Sequence, residues 1–303
     1  MPVSAEISAR SQAVVSRWPV RRRQLRDLLQ LMRLDRPIGI LLLGWPMLWA
    51  LWFAAGGRPE SRLLWIFVVG AIVMRSAGCV VNDLLDRNID PHVARTRERP
   101  LAARRLSPYT AVWLLLALLS IALWLALLLG GAALRLAVIG AVLSISYPLC
   151  KRFFFLPQLY LGLAFGWPVP MAFAATLGYV PREGWTLFIG ALLWVMVYDT
   201  FYAIVDRDDD RRIGVRSSAI SFGDQELAVI AAMQAMVLLA LWLVGNSLHR
   251  GARYHWALGS GALLFAWQLW SARRRDRKGG MRAFMQNNYF GLAVLIGVAA
   301  DYG

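Results

Sequence analysis

The sequence predicts an all-α integral membrane protein of nine transmembrane helices, and three observations predict it. Apolar residues make up 58% of the 303 positions, with a mean hydropathy of +0.51, far more apolar surface than a soluble domain could bury. Apolar runs recur along the whole chain at close to the 20 or so residues that a hydrocarbon core of about 30 Å requires. The 33 Lys and Arg residues alternate between rich and poor connectors, as they do in polytopic proteins.

Taken in order, residues 1–36 carry charges throughout and no continuous apolar stretch, which excludes the pattern of a cleaved signal peptide. Residues before about 20 read as disordered. Arg21, Arg22, Arg23, Arg26, Arg33 and Arg36 interleave with Leu25, Leu28, Leu29, Leu31, Met32 and Leu34, the pattern of a basic amphipathic helix lying on a membrane surface. The nine apolar segments are then 38–56, 63–82, 110–130, 133–149, 157–177, 184–205, 225–246, 252–271 and 284–302. Pro168 and Pro170 fall inside the fifth and predict a kink, because proline removes a backbone donor and clashes with the preceding turn. Connectors as short as Gly130-Gly131-Ala132 force antiparallel neighbours, so residues 37–303 read as one membrane domain behind an N-terminal extension of residues 1–36.

The net charge of +15 raises the question of nucleic acid, and its distribution answers it. The N-terminal segment and the exits of the even helices hold 26 basic residues, the opposite connectors hold six, and Arg75 lies within a helix. The excess is therefore topological. It places the N-terminus and the even-helix exits in the cytoplasm and Gly303 outside. Cys79 and Cys150 form no CxxC pattern and read as packing residues.

Two acidic clusters follow even-numbered helices. The first is Asn82-Asp83-Leu84-Leu85-Asp86-Arg87-Asn88-Ile89-Asp90, in which Asn82, Asp86 and Asp90 stand four apart and would share a face if the helix continued. The second runs from Tyr198 to Asp210, with Asp199, Asp206 and Asp210 on one helical face. Two carboxylates about 6 Å apart repel by roughly 3 kcal/mol at an effective dielectric of about 20, so such clusters call for a cation. Magnesium fits, since it binds through one or two carboxylates plus substrate phosphates. Two clusters facing each other would hold two Mg²⁺ ions across a diphosphate. For Asp83, Asp208 and Asp209 the competing expectation is solvent or an arginine partner.

At these residues the sequence resembles the UbiA superfamily of intramembrane prenyltransferases, whose NDxxDxxxD and DxxxD signatures stand complete at Asn82 to Asp90 and Asp206 to Asp210. It is most similar to the 4-hydroxybenzoate branch. The stretches Arg33 to Leu51, Gly78 to Ala103, Tyr147 to Arg152, Leu156 to Gln158, Tyr198 to Ile220 and the NNYFGL run at Asn287 to Leu292 carry that resemblance. It implies nine helices around a central cavity, with a cytoplasmic cap bearing the Asp motifs and a lateral opening for the prenyl chain. It implies one magnesium on Asn82, Asp86 and Asp90, another on Asp206 and Asp210, and diphosphate contacts from Arg87 and Arg152, assisted by Lys151. The implied reaction is transfer of a polyprenyl group from polyprenyl diphosphate to 4-hydroxybenzoate, ortho to the hydroxyl, in ubiquinone biosynthesis in a bacterial inner membrane or, alternatively, a mitochondrial one.

An aromatic acid also needs a cation for its carboxylate. Arg75, an intramembrane charge close to the helical face of Asn82 and Asp86, is one candidate, with a structural ion pair to Asp199 as its competing role; Arg36 is a second candidate. Asp199, Tyr147, Tyr198 and Tyr202 are candidates to orient the phenol. Homogentisate, dihydroxynaphthoate and haem remain alternative acceptors of the same chemistry. A cation-coupled transporter is the rival class, but it would place its acids near the bilayer midplane rather than at one face.

Overall fold

A computed structural model describes residues 23–92, 96–150, 154, 156–214 and 216–303, without the side chains of Cys150 and Ile213. Regular structure among the described residues is entirely helical. The expectations for residues before 20, Arg21, Arg22, Lys151 and Arg152 lie outside them, as does the one that concerns the Cys150 side chain. The chain divides into two compact units, residues 1–37 with 76–117 and residues 38–75 with 118–303.

Every expected apolar segment is helical: α2 (Ile38–Ala54), α3 (Ser61–Asp86), α4 (Pro108–Leu129), α5 (Gly131–Cys150), α6 (Pro157–Gly166) with α7 (Pro168–Leu177), α8 (Arg182–Ile213), α10 (Glu226–Ser247), α11 (Ala252–Ala272) and α12 (Arg277–Tyr302). A short helix α1 covers residues 23–31, and α9 is the single turn Ser218–Ser221. Among the described residues seven segments are long and apolar enough to cross a membrane; α2 is shorter at 17 residues, and α11 dilutes its apolar residues with Arg253, His255 and Gln268. The fifth segment is interrupted where the kink is expected: α6 and α7 meet at Trp167, whose backbone stays right-handed helical (φ −59°, ψ −29°), and Pro168 begins α7, where proline's missing N–H costs little.

In the smaller unit, α1 ends in a turn where Arg33 takes a left-handed conformation (φ 57°). Its Nη1 donates to the carbonyl of Gln30 at 3.0 Å, satisfying one of the helix's terminal acceptors. Arg105 ties the loop before α4 back to α1 through Asp27 Oδ1 (2.8 Å) and Gln30 Oε1 (2.9 Å).

In the larger unit, α8 is the centre of the packing, touching α2, α6, α7, α10 and α12. Its buried Trp194 lies 5.2 Å from Trp49 of α2 and 5.4 Å from Phe290 of α12. Each indole N–H finds an acceptor: Trp194 donates to Asn287 Oδ1 at 2.9 Å, Trp49 to the carbonyl of Gly291 at 2.9 Å, and Trp45 to Asn288 Oδ1 at 2.9 Å. The NNYFGL run is therefore structural, a clasp for three tryptophans of α2 and α8. α11 and α12 pack closely at Gly297, where a Cβ would come within 2.2 Å of Ala257 Cβ. By contrast α4 is almost wholly exposed along its length, with Trp113 and Trp124 outward, as lipid-facing side chains are.

Candidate functional site

In the smaller unit the first acidic motif departs from the expected helical row. α3 ends at Asp86, residues 87–89 form a turn, and Asp90 opens a 3₁₀ turn through His92. Pro91 is one reason the α-helix does not run on through the motif: it has no N–H to give the Arg87 carbonyl, and its ring would clash with that carbonyl. Asp90 is drawn inward instead of extending the row. It is buried, and its Oδ2 accepts from Arg99 Nη1 at 2.9 Å while its carbonyl accepts from Thr96 Oγ1 at 3.0 Å. Asp83 is buried as well and binds two guanidinium groups, Arg99 at 3.0 Å and Arg33 at 3.1 Å. Of its two expected fates, solvent or arginine, the second holds. Asp86 is buried, Asn82 half-buried, and Arg87 and His92 are exposed.

The second motif, in the larger unit, keeps its expected geometry. α8 runs 32 residues and stops only at Gly214, whose left-handed conformation (φ 71°) lets its N–H reach the Asp210 carbonyl. At 1.5 Å per residue that helix is about 48 Å long, well beyond what a core of about 30 Å requires. Asp199, Asp206 and Asp210 lie on this one helix, seven and four residues apart, and their charges act on one another. Asp208 is exposed, and Asp209 pairs with Arg277 at 3.1 Å.

Around Asp199 the same unit gathers a polar cluster. Gln158, at the start of α6, hydrogen-bonds the Asp199 carboxylate, and its Oε1 accepts the backbone N–H of Ser218 at 3.0 Å. Ser218 Oγ donates to Thr200 Oγ1 at 2.9 Å, which donates to the Met196 carbonyl at 2.6 Å. The charge of Arg75 also acts on Asp199, and its guanidinium lies 5.5 Å from the Phe165 ring centre. Gly39 makes room for it, since a Cβ there would lie 2.8 Å from Arg75 Nε. Tyr198 is buried, Tyr147 is half-buried against the same core, and Tyr202 is half-buried with its ring 5.1 Å from Phe284. Arg36, in the smaller unit, is exposed and lies 3.9 Å from Asp35. Gln158 was visible only as part of a resembling string; its role depends on a partner 41 positions away, which no local pattern reveals.

Among the described residues no three His, Cys, Asp or Glu side chains form a ready metal cage. The donors still fit magnesium, which takes hard oxygen ligands and is completed by substrate phosphates and water. Asp206 and Asp210 offer such oxygens one helical turn apart, and Asp86, with Asp90 after exchange of Arg99, offers others.

Residues 43–292 match the UbiA prenyltransferase family. The chain is 45% identical over 276 residues to the 4-hydroxybenzoate octaprenyltransferase of Pseudomonas syringae pv. syringae, covering 91% of this chain and 93% of that one. It is 47% identical over 277 residues to that of Azotobacter vinelandii, covering 91% and 94%. Among solved structures it superimposes on the apo form of a UbiA homolog from Aeropyrum pernix with a TM-score of 0.76 at 26% identity, covering 87% of this chain and 97% of that one. A homolog from Archaeoglobus fulgidus, solved with GPP and Mg²⁺, shares the fold at a TM-score of 0.66 and 15% identity, covering 90% and 99%. With its acidic motifs complete and its helices in the same arrangement, this chain belongs to the UbiA prenyltransferase family.

Proposed function

We propose that this protein transfers a polyprenyl group from polyprenyl diphosphate to the ring carbon of 4-hydroxybenzoate ortho to its hydroxyl, as a step of ubiquinone biosynthesis. The observation that carries the reading is the pair of complete acidic motifs in a chain 45–47% identical, over nine-tenths of its length, to 4-hydroxybenzoate octaprenyltransferases. Asn82, Asp86 and Asp90 hold one magnesium ion, and Asp206 with Asp210 hold a second. Bound there, magnesium supplies neutralisation of the charge that builds on the diphosphate oxygens as the allylic carbon–oxygen bond breaks.

The chain's own residues supply the rest. Arg87, Lys151 and Arg152 bind the diphosphate. Arg75 or Arg36 takes the acceptor carboxylate, while Asp199, Tyr147 and Tyr202 orient the phenol. Exclusion of water by the surrounding apolar side chains leaves the ring carbon as the nucleophile that meets the allylic cation, and loss of the ring proton restores aromaticity. In this reading the protein crosses a bacterial inner membrane nine times, and the basic bias of the connectors supports a cytoplasmic side for residues 1–36 and both motifs.

The test is product formation by membranes given radiolabelled 4-hydroxybenzoate and a polyprenyl diphosphate, with magnesium or chelator, beside Asp86→Ala and Asp206→Ala. A magnesium-dependent prenylated acid that falls at least about a hundredfold in either properly inserted variant supports the reading. A well-inserted protein that prenylates only a different acceptor overturns the acceptor assignment.

A further inference from the structure

Next to the second acidic motif stands a buried charge with no place in the reaction. Glu226, the first residue of α10, is fully enclosed, and its Oε1 accepts from Arg207 Nη2 at 2.5 Å. Arg275, from the turn before α12, brings a second guanidinium to the same oxygen, with Nε at 3.5 Å, and is itself anchored to Asp224 through Nη1 at 3.5 Å and through Nη2 to the Asp224 carbonyl at 2.5 Å. A buried carboxylate shared by two arginines is costly to assemble and contributes little net stability compared with apolar packing, so it asks for another reason to exist.

The position of Arg207 supplies one. It follows Asp206 directly and precedes Asp210 by three residues, the spacing at which oppositely charged side chains on a helix meet. Released from Glu226, its guanidinium would reach the Asp210 carboxylate and compete with a divalent cation there. We infer that Glu226 is a positioning residue that withdraws Arg207 from the Asp206–Asp210 face, so that this guanidinium does not compete there with magnesium. The inference rests on the reading of Asp206 and Asp210 as metal ligands, and it concerns residues of one compact unit.

Purified protein in detergent is titrated with magnesium, and the midpoint is read from the rise in thermal unfolding temperature, with no substrate present. Glu226→Gln keeps the shape and one acceptor but removes the charge that holds Arg207. Its magnesium midpoint is expected to rise about tenfold, the equivalent of about 1.4 kcal/mol. Glu226→Gln combined with Arg207→Gln is expected to return to within about threefold of the parent, because the competing guanidinium is gone. Arg275→Gln, which loosens the same cluster without freeing Arg207, is expected to leave the midpoint unchanged.

An unchanged midpoint in Glu226→Gln overturns the inference. So does a double variant as impaired as the single one, or an Arg275→Gln midpoint shifted equally, since both indicate general loosening. Asp206→Asn reports on the metal reading separately: if it keeps the parent response to magnesium, that reading fails, whereas a lost response there beside a normal Glu226→Gln overturns only the positioning role.

Discussion

Replacing Asp83 by Asn removes a charge without changing shape, and the contacts of the carboxylate set the size of the effect. Asp83 is 1% exposed and holds Arg99 at 3.0 Å and Arg33 at 3.1 Å. Each contact is worth roughly 4 kcal/mol in gross Coulomb energy at an effective dielectric of about 20, most of it offset by the desolvation of the carboxylate. Stranding the partners of a fully buried pair costs about 3–5 kcal/mol. Here the arginine side chains keep 24% and 16% of their exposure, so water recovers part of that, and about 2 kcal/mol remains. At roughly 2–4 °C per kcal/mol, the unfolding temperature of the purified protein, followed by tryptophan fluorescence, should fall by about 4–8 °C. Arg99 would then be left to Asp90 alone, so the magnesium needed for half-maximal product formation should rise as well. An Asp83→Asn protein that unfolds within about 1 °C of the parent would refute the reasoning, because it would mean that the two arginines are already satisfied by water.

The packing of the larger unit makes two further predictions. Gly297→Ala places a methyl group 2.2 Å from Ala257 Cβ, so α11 and α12 must separate by more than an ångström; a loss of about 1–3 kcal/mol is expected in thermal unfolding, with product formation per folded molecule retained. Trp194→Phe leaves the fully buried Asn287 Oδ1 without its donor, at a cost of about 1–3 kcal/mol in the same measurement, whereas Trp45→Phe, at a half-buried site, should cost clearly less.

The positions of the helices were legible because a span must be apolar over a set length, and no tertiary partner is needed to read that. Their ends were less legible. Apolar character in α8 fades at Val205, yet the helix continues to Ile213, since its last turns are charged residues with ordinary helix propensity and the stop signal is Gly214. At the first motif the opposite error arose: a four-residue spacing predicted one continuous row, while Pro91, present in the sequence, cannot donate to the Arg87 carbonyl and clashes with it, so the α-helix does not run through the motif. The metal-ligand candidates were legible from residue type and spacing. Their supports were not, because Asp83 with Arg33, Gln158 with Ser218 and Arg207 with Glu226 join positions 50, 60 and 19 residues apart, and charge patterns do not specify such partners.

The placement of charge along α8 bears directly on which class of function the fold serves. Between Glu183 and Asp199 the helix carries no charged side chain, fifteen residues or about 22 Å of its length. An ion-coupled transporter requires acids in the middle of the membrane, on segments able to unwind or move. In α8 the corresponding stretch is uncharged and locked to α2 and α12 through Trp194, and the helix's acids gather beyond it, from Asp199 to Asp210. A long helix that is rigid in its middle and acidic at its end suits the opposite demand, since metal-binding carboxylates act best when packing holds them within a fraction of an ångström. Loosening the middle of α8, as Trp194→Phe does, should therefore weaken magnesium binding at Asp206 and Asp210, several turns away.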